Sequence, residues 1–270
     1  MEKILAIVNK EQIRECYDFA VVAWDNRSQS QKQFGTKEAR TRNSFVADQI
    51  SGKLAEYIFK HSIEELFDEV RVDLNFDHYL DPLHTDMGDV EIYIENKLFP
   101  IRIDVKGSSY RAQWLLVELH KFRDLKTREP MSDKFVMVKF SENVPDNRTL
   151  RNNPEVILEL NKIEGNVIGW ANHSDFISET DNEEWFVYLK GEKPFKTKVL
   201  PKSPKIISNI KHLRNYINKV KRDSNLSDDE ACLNMPLDAE KNIGLPIHWL
   251  QKNLDGIFIP TAIENRSSNS

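Results

Sequence analysis

Apolar positions recur with a period of two in some stretches of the chain and with a helical period in others, and the two periods predict different elements. Val90, Ile92 and Ile94 alternate with Glu91, Tyr93 and Glu95. Phe99, Ile101 and Ile103 alternate with Pro100, Arg102 and Asp104. Both halves read as strands with one apolar face, over 89–95 and 98–106. Further strands are expected over 70–76, 134–140 and 165–170. A helical pattern of Ile4, Leu5, Ile7, Val8, Ile13, Tyr17 and Ala20 predicts a helix over 1–23. A second helix is expected over 45–67 with Ser44 as its N-cap. Leu115, Leu119, Phe122 and Leu125 predict a third over 112–125, and Ile206, Ile210, Leu213 and Ile217 a fourth over 205–221. Residues 25–43 read as a polar loop and the last seven as a disordered tail. Three strands, a helix and another strand in succession predict an α/β architecture, a mixed sheet flanked by helices. The chain divides into 1–43 (a helix and a polar, basic loop), a core over 44–190, and a basic extension over 191–270.

Composition agrees with a soluble domain that buries a core. The chain has 270 residues, of which 40% are apolar and 30% charged. No apolar run reaches the roughly 20 residues that span a bilayer, so no membrane partner is expected. The first residues, Met-Glu-Lys-Ile-Leu-Ala-Ile-Val, do not read as a secretion signal. Cys16 and Cys232 are far apart and form no CxxC pair. That argues against a structural zinc or a disulfide framework and fits a cytoplasmic location. Net charge is -5, but its distribution is uneven: Lys190 to Arg222 holds eleven basic residues and one acid, Glu192. Arg27, Lys32, Lys37, Arg40 and Arg42 stand against Glu38 in a second basic stretch. Positive charge concentrated on an acidic protein is the footprint expected for a phosphate backbone, and Lys211, Arg214 and Lys221 are candidate contacts. An uneven solvated surface gives the same pattern.

The hairpin carries the chemistry. With Asn96-Lys97 as a two-residue loop, Glu95 faces Leu98, and Val90, Ile92 and Ile94 face Ile103, Ile101 and Phe99. Asp89 then faces Asp104, and Lys106 follows on their side two residues later. Cross-strand Cβ atoms lie about 4.5–5.5 Å apart, so this register brings two carboxylates together. Paired carboxylates repel unless a cation sits between them. Magnesium suits such a pair, keeping waters and substrate phosphate oxygens as its other ligands. A solvated surface hairpin is the bland alternative, and Asp86 is a competing first carboxylate. His78 and His84 match no metal spacing of a helix or strand pair. Trp114, Trp170, Trp185 and Trp249 read as core.

Gly-Asp at 88–89, then fourteen residues, then Asp-Val-Lys at 104–106, resembles the PD-(D/E)xK nuclease superfamily, with its restriction-endonuclease-like fold. Gly88 stands where that motif has proline. Many members also place a glutamate on a preceding helix in a Gly-x-x-x-Glu pattern, and Gly52-Lys53-Leu54-Ala55-Glu56 matches it. Glu56 lies on a largely apolar stripe with Phe59 and Ile63, so a metal or a lysine partner is expected for it; a helix-surface glutamate beside Lys53 or Lys60 is the bland alternative. The resemblance covers roughly 44–140. It implies Asp89 and Asp104 as metal ligands, Lys106 as the group orienting the attacking water, and Glu56 as a supporting ligand or base. Ser108 and Ser109 are candidate phosphate contacts or caps of the following segment. It further implies a type II restriction endonuclease acting on double-stranded DNA, with Mg2+ or in its place Mn2+, and a homodimer to cut both strands. A structure-specific repair, recombination or phage nuclease is the alternative, as is a DNA-binding protein that has kept the fold without catalysis.

Overall fold

A computed structural model describes residues 5–26, 41–76, 89–234, 236–237 and 239–259. In chain order the elements are β1 (Ala6–Asn9), α1 (Lys10–Asp25), α2 (Arg42–Leu66), β2 (Val70–Leu74), β3 (Val90–Ile94), β4 (Lys97–Ser108), β5 (Trp114–Glu118), α3 (Leu119–Phe122), β6 (Lys134–Phe140), α4 (Asn147–Asn152), β7 (Lys162–Asn172), β8 (Val187–Leu189), α5 (Ile210–Asp223), α6 (Asp228–Ala231) and β9 (Lys241–Pro246). The chain is α/β, as the periodicity predicts: a mixed six-stranded sheet in the order β1-β7-β6-β4-β3-β2 is flanked by helices. A second, three-stranded sheet runs β5-β9-β8.

Two compact units are present. Unit 1 comprises Met1–Ala112 and Val136–Ile168, and unit 2 comprises Gln113–Phe135 and Gly169–Ser270. The chain passes between them within β6 and β7, so the units do not follow the segment limits at 43 and 190. In unit 1 the long helix α2 lies on β1, β2 and β4, and α1 packs on α2. Ile50, Leu54, Ile58, Phe59 and Ile63 of α2 and Ile92 and Ile103 of the hairpin are fully buried. This continuous apolar stripe is what sets α2 against the sheet. In unit 2 Phe122, Phe135 and Phe176 form an aromatic cluster, with ring centroids 5.1–5.5 Å apart. Trp114, Phe186 and Tyr188 form another. Trp114, Trp170 and Trp185 are buried, as expected of core residues.

Several predicted elements differ. Residues 6–9 form a strand and not the start of the first helix. Ala6 and Val8 are buried while Leu5 and Ile7 are exposed, a period of two, and the strand pairs with Lys162–Gly165. Asn9 then starts α1 through a reciprocal capping box with Gln12. The cap of α2 is Thr41, whose hydroxyl accepts the Ser44 amide at 3.2 Å, and not Ser44 itself. The predicted helix over 112–125 is a strand followed by a single helical turn. Trp114 to Glu118 pair with Pro246 to Asn242, a partner so remote in sequence that no local pattern reveals it. Helix α5 begins at Ile210, capped by Asn209, because Pro204 opens a separate short turn and leaves Ile206 64% exposed. Most of the basic loop over 25–43, His78, His84, Asp86, Gly88 and the final tail lie outside the described residues.

Candidate active site on the central hairpin

The turn of the hairpin is Glu95-Asn96, where sequence suggested Asn96-Lys97. Both residues have positive φ, 50° and 63°, the conformation of a type I′ turn that matches strand twist. Next to it Ile94 pairs with Lys97, Tyr93 with Leu98 and Ile92 with Phe99, so Ile92 does not face Ile101. The following pair is Val90 with Ile103. Over that interval β3 advances two residues and β4 four, and Pro100 lies in the surplus. Proline has no N–H to lose from a ladder, so a bulge tolerates it. The bulge cancels the error at the turn, and at the far end the register is the predicted one.

Asp89 lies one residue beyond the Val90–Ile103 pair that ends the ladder, and two hydrogen bonds tie it to β4. Its amide donates to the Ile103 carbonyl at 3.0 Å, and its Oδ2 accepts the Val105 amide at 2.8 Å. The two bonds bracket Asp104 on the neighbouring strand. Asp104 is only 6% exposed, and Lys106 Nζ lies 2.5 Å from its Oδ1. Lys106 is partly exposed and presents a cation at the edge of this buried carboxylate. The pairing offsets the cost of withdrawing the Asp104 charge from water.

Gly107 shows which way the strand faces. A Cβ there would lie 2.9 Å from the Ser51 carbonyl and 3.1 Å from Ala55 Cβ, both on α2. Alternation puts Ile103, Val105 and Gly107 toward α2, and Asp104 and Lys106 on the other side of the strand. Gly107 is thus required by the close approach of helix to strand directly beside the lysine. Gly52 is different: a Cβ there would meet nothing within 4 Å, so it is not a packing glycine among the described residues.

Glu56 is buried, 5% exposed, and its partner is Lys53. Lys53 Nζ donates to Glu56 Oε2 at 2.7 Å and to the Asn75 carbonyl at 2.6 Å. It also lies 5.0 Å from the ring centre of Phe19 and 5.3 Å from that of Phe76. Lys60, the other lysine candidate, turns to Glu64 at 2.8 Å. The pair belongs to a polar layer between α1 and α2. Tyr57 donates a hydrogen bond to Glu15 there, and burial pushes both the Tyr57 hydroxyl and the Cys16 thiol well above their ordinary pKa values. Asp89, Asp104 and Lys106 are thus brought together on the hairpin, and Glu56 is engaged by Lys53 on α2.

The remaining candidates divide between the units. Ser108 ends β4 and Ser109 follows it, exposed. Lys211 and Arg214 are exposed on α5 and line a surface recess with Asp181 and Glu183. Lys221 turns to Asp228. Lys193 pairs with Asp229 at 3.2 Å, and Lys196 donates to the Glu230 carbonyl at 2.8 Å. Part of the basic run is thus balanced by the acids of α6, which follow it in sequence.

The donor set on the hairpin is carboxylate oxygen, hard and anionic. Each carboxylate offers about four lone-pair positions. Two carboxylates are what magnesium takes from a protein when waters and phosphate complete its shell. Among the described residues no three His, Cys, Asp or Glu side chains gather into a metal-holding group, so the fit rests on the pair. Sequence reasoning missed the Val105 amide, which has no side-chain signature, and Gly107, whose presence inside a strand was a usable signal for close backbone approach. Comparison with protein-family models, with curated proteins and with solved structures finds no match to this chain.

Proposed function

We propose that this chain is a magnesium-dependent endodeoxyribonuclease that hydrolyses phosphodiester bonds of double-stranded DNA, acting as a type II, site-specific enzyme and as a homodimer. One observation carries the reading. Asp89 is bonded to the Ile103 carbonyl and the Val105 amide, the two residues that flank the buried Asp104, and Asp104 is paired with Lys106. The resemblance of Gly88-Asp89 and Asp104-Val105-Lys106 to the PD-(D/E)xK pattern supports it, as does the basic run in unit 2.

Asp89 and Asp104 would hold the magnesium ion, with manganese able to replace it. Bound there, the metal supplies a lowered water pKa and neutralises charge on the scissile phosphate. Lys106, partly exposed beside Asp104, orients the water and steadies the phosphate oxygens. The two backbone bonds to Asp89 fix its carboxylate before substrate arrives, so little reorganisation is needed at the reaction. Glu56 is left a supporting role through its pair with Lys53; direct ligation would require that pair to open. Ser108 and Ser109 follow Lys106 and are placed to meet phosphate.

The test is incubation of purified protein with a mixed panel of plasmid and phage DNA, with magnesium, with manganese and with EDTA. Discrete fragments that need the metal and vanish in Asp104→Ala and Asp89→Asn are expected. Undiminished cutting by Asp104→Ala, or cutting in EDTA, would sink the assignment.

A further inference from the structure

Helix α5 of unit 2 is the most strongly two-faced helix described. Ile210, Leu213 and Ile217 are buried and anchor one side. Lys211, Arg214, Asn215, Asn218 and Arg222 are all exposed. At 100° per residue these five fall within a stripe about 100° wide that runs beside the buried side, Arg214 being nearest to it. Four of them, Lys211, Arg214, Asn215 and Asn218, line a single recess.

The residue types in that stripe are not those of an ordinary solvated face. A surface stripe evolved only to keep a helix soluble mixes acids with bases; the part of this one on α5 carries no acid, and the acids of the recess, Asp181 and Glu183, come from outside the helix. Nor is it a purely electrostatic contact, because two of its five positions are asparagine. Asparagine is a poor helix former, yet Asn215 and Asn218 sit one turn apart in mid-helix, facing outward. Arginine and asparagine are the side chains that read base edges in the major groove, arginine against guanine and asparagine against adenine. The groove is about 12 Å wide and admits an α-helix, and α5, with 14 residues, is about 21 Å long. Asp181 anchors the helix start, its Oδ2 accepting the Ile210 amide at 2.9 Å. Glu183 stands in the recess as an acceptor of the kind that meets a cytosine amino group.

We propose that α5 is the base-reading element of this protein, with Arg214, Asn215 and Asn218 contacting base edges in the major groove and Lys211 and Arg222 contacting phosphates. The proposal rests on the DNA reading of the previous section and adds what that reading lacks, the residues that set sequence preference. It is independent of the hairpin carboxylates.

The experiment is selection of bound sequences from a random double-stranded DNA library by the full chain, with calcium in place of magnesium, for the wild type and for Asn215→Ala/Asn218→Ala. Both substitutions are on an exposed helix face and replace asparagine by a better helix former, so the fold is retained. The wild type should enrich a defined motif. The double variant should lose discrimination at one or two positions of that motif, by about tenfold or more each, while its affinity for bulk DNA changes little. Lys211→Ala should weaken binding to all sequences alike. An unchanged motif in the double variant, or wild-type binding without any motif, overturns the role of α5 and leaves the nuclease reading standing. A wild type that neither binds nor cuts any DNA overturns both.

Discussion

Lys53 in unit 1 and Lys134 in unit 2 are both buried, 8% and 1% exposed, yet their surroundings are of different kinds. Lys53 faces a full negative charge, Glu56, together with one carbonyl. Lys134 makes its direct contacts with dipoles: the Gly256 and Ile259 carbonyls, each at 2.7 Å, and the Trp170 ring at 4.4 Å. Dipoles do not repay the full desolvation of an ammonium, and burial pushes the Lys134 pKa down to about 8, with Asp175 and Asp133 opposing the shift. The difference teaches where charge is invested. Unit 1 sets its buried carboxylates against lysines, Glu56 against Lys53 and Asp104 against the partly exposed Lys106. Unit 2 uses a buried amine to tie down residues 256–259, pairs Arg123 with Glu184, and sets Lys193 and Lys221 against the acids of α6.

Removing a member of the hairpin pair should have the largest effect. Lys106→Ala is expected to lower magnesium-dependent DNA cleavage by about a thousandfold, roughly 4 kcal/mol of barrier, while DNA affinity stays within a few-fold. Normal turnover in single-turnover assays would place the chemistry elsewhere. Lys53→Met comes next. It strands a buried carboxylate, and the fold should lose about 3–5 kcal/mol in denaturant unfolding. Recovery of most of that loss in Lys53→Met/Glu56→Leu would show that the pair is structural.

Lys134→Met leaves two carbonyls without their donor and should cost about 1–3 kcal/mol. Its pH signature separates it from Lys53. Between about 8 and the unfolded value of 10.5, the unfolded chain retains a proton that the folded chain has released. Wild-type stability should therefore gain from this group as pH rises through that window. The Met variant should lack that gain, and equal slopes in the two proteins would mean that Lys134 is not the responsible group. The smallest effects come from two glycines. Gly107→Ala should destabilise, since its Cβ meets the Ser51 carbonyl at 2.9 Å, whereas Gly52→Ala, with open space around it, should stabilise by about 0.5–1 kcal/mol. Thermal unfolding of the two variants with opposite signs is the expected outcome.

Much of unit 1 was legible because its elements are amphipathic with a clear period. Strands β2, β3, β4 and β6 and helix α2 are predicted to within a few residues, the first three strands and the helix by their alternating or helical pattern and β6 by its largely apolar run. The pairing of Val90 with Ile103 was legible too, though by a path the molecule does not take. The turn sits one residue earlier than expected, and the surplus around Pro100 restores the pairing. A bulge conserves the alternation of faces while shifting partners, so pattern alone cannot see it. Unit 2 was harder to read. Its β5 looked helical because Leu115, Leu119 and Phe122 carry a helical spacing, and only pairing with β9, more than a hundred residues later, makes it a strand.

By itself the sequence determined the α/β class, the hairpin, the outward face of α5 and the chemical types at the candidate site, because these follow from local periodicity and from residue identity. Only the tertiary structure decided that Glu56 takes Lys53 as its partner and that Lys221 turns to Asp228. It also decided that Asp89 is clasped between two backbone groups of β4, and that Gly107, not Gly52, is the glycine on which packing depends. The physical reason is common to all of these. Which charge meets which, and where a Cβ has room, depend on groups brought together by packing, and no local pattern records that.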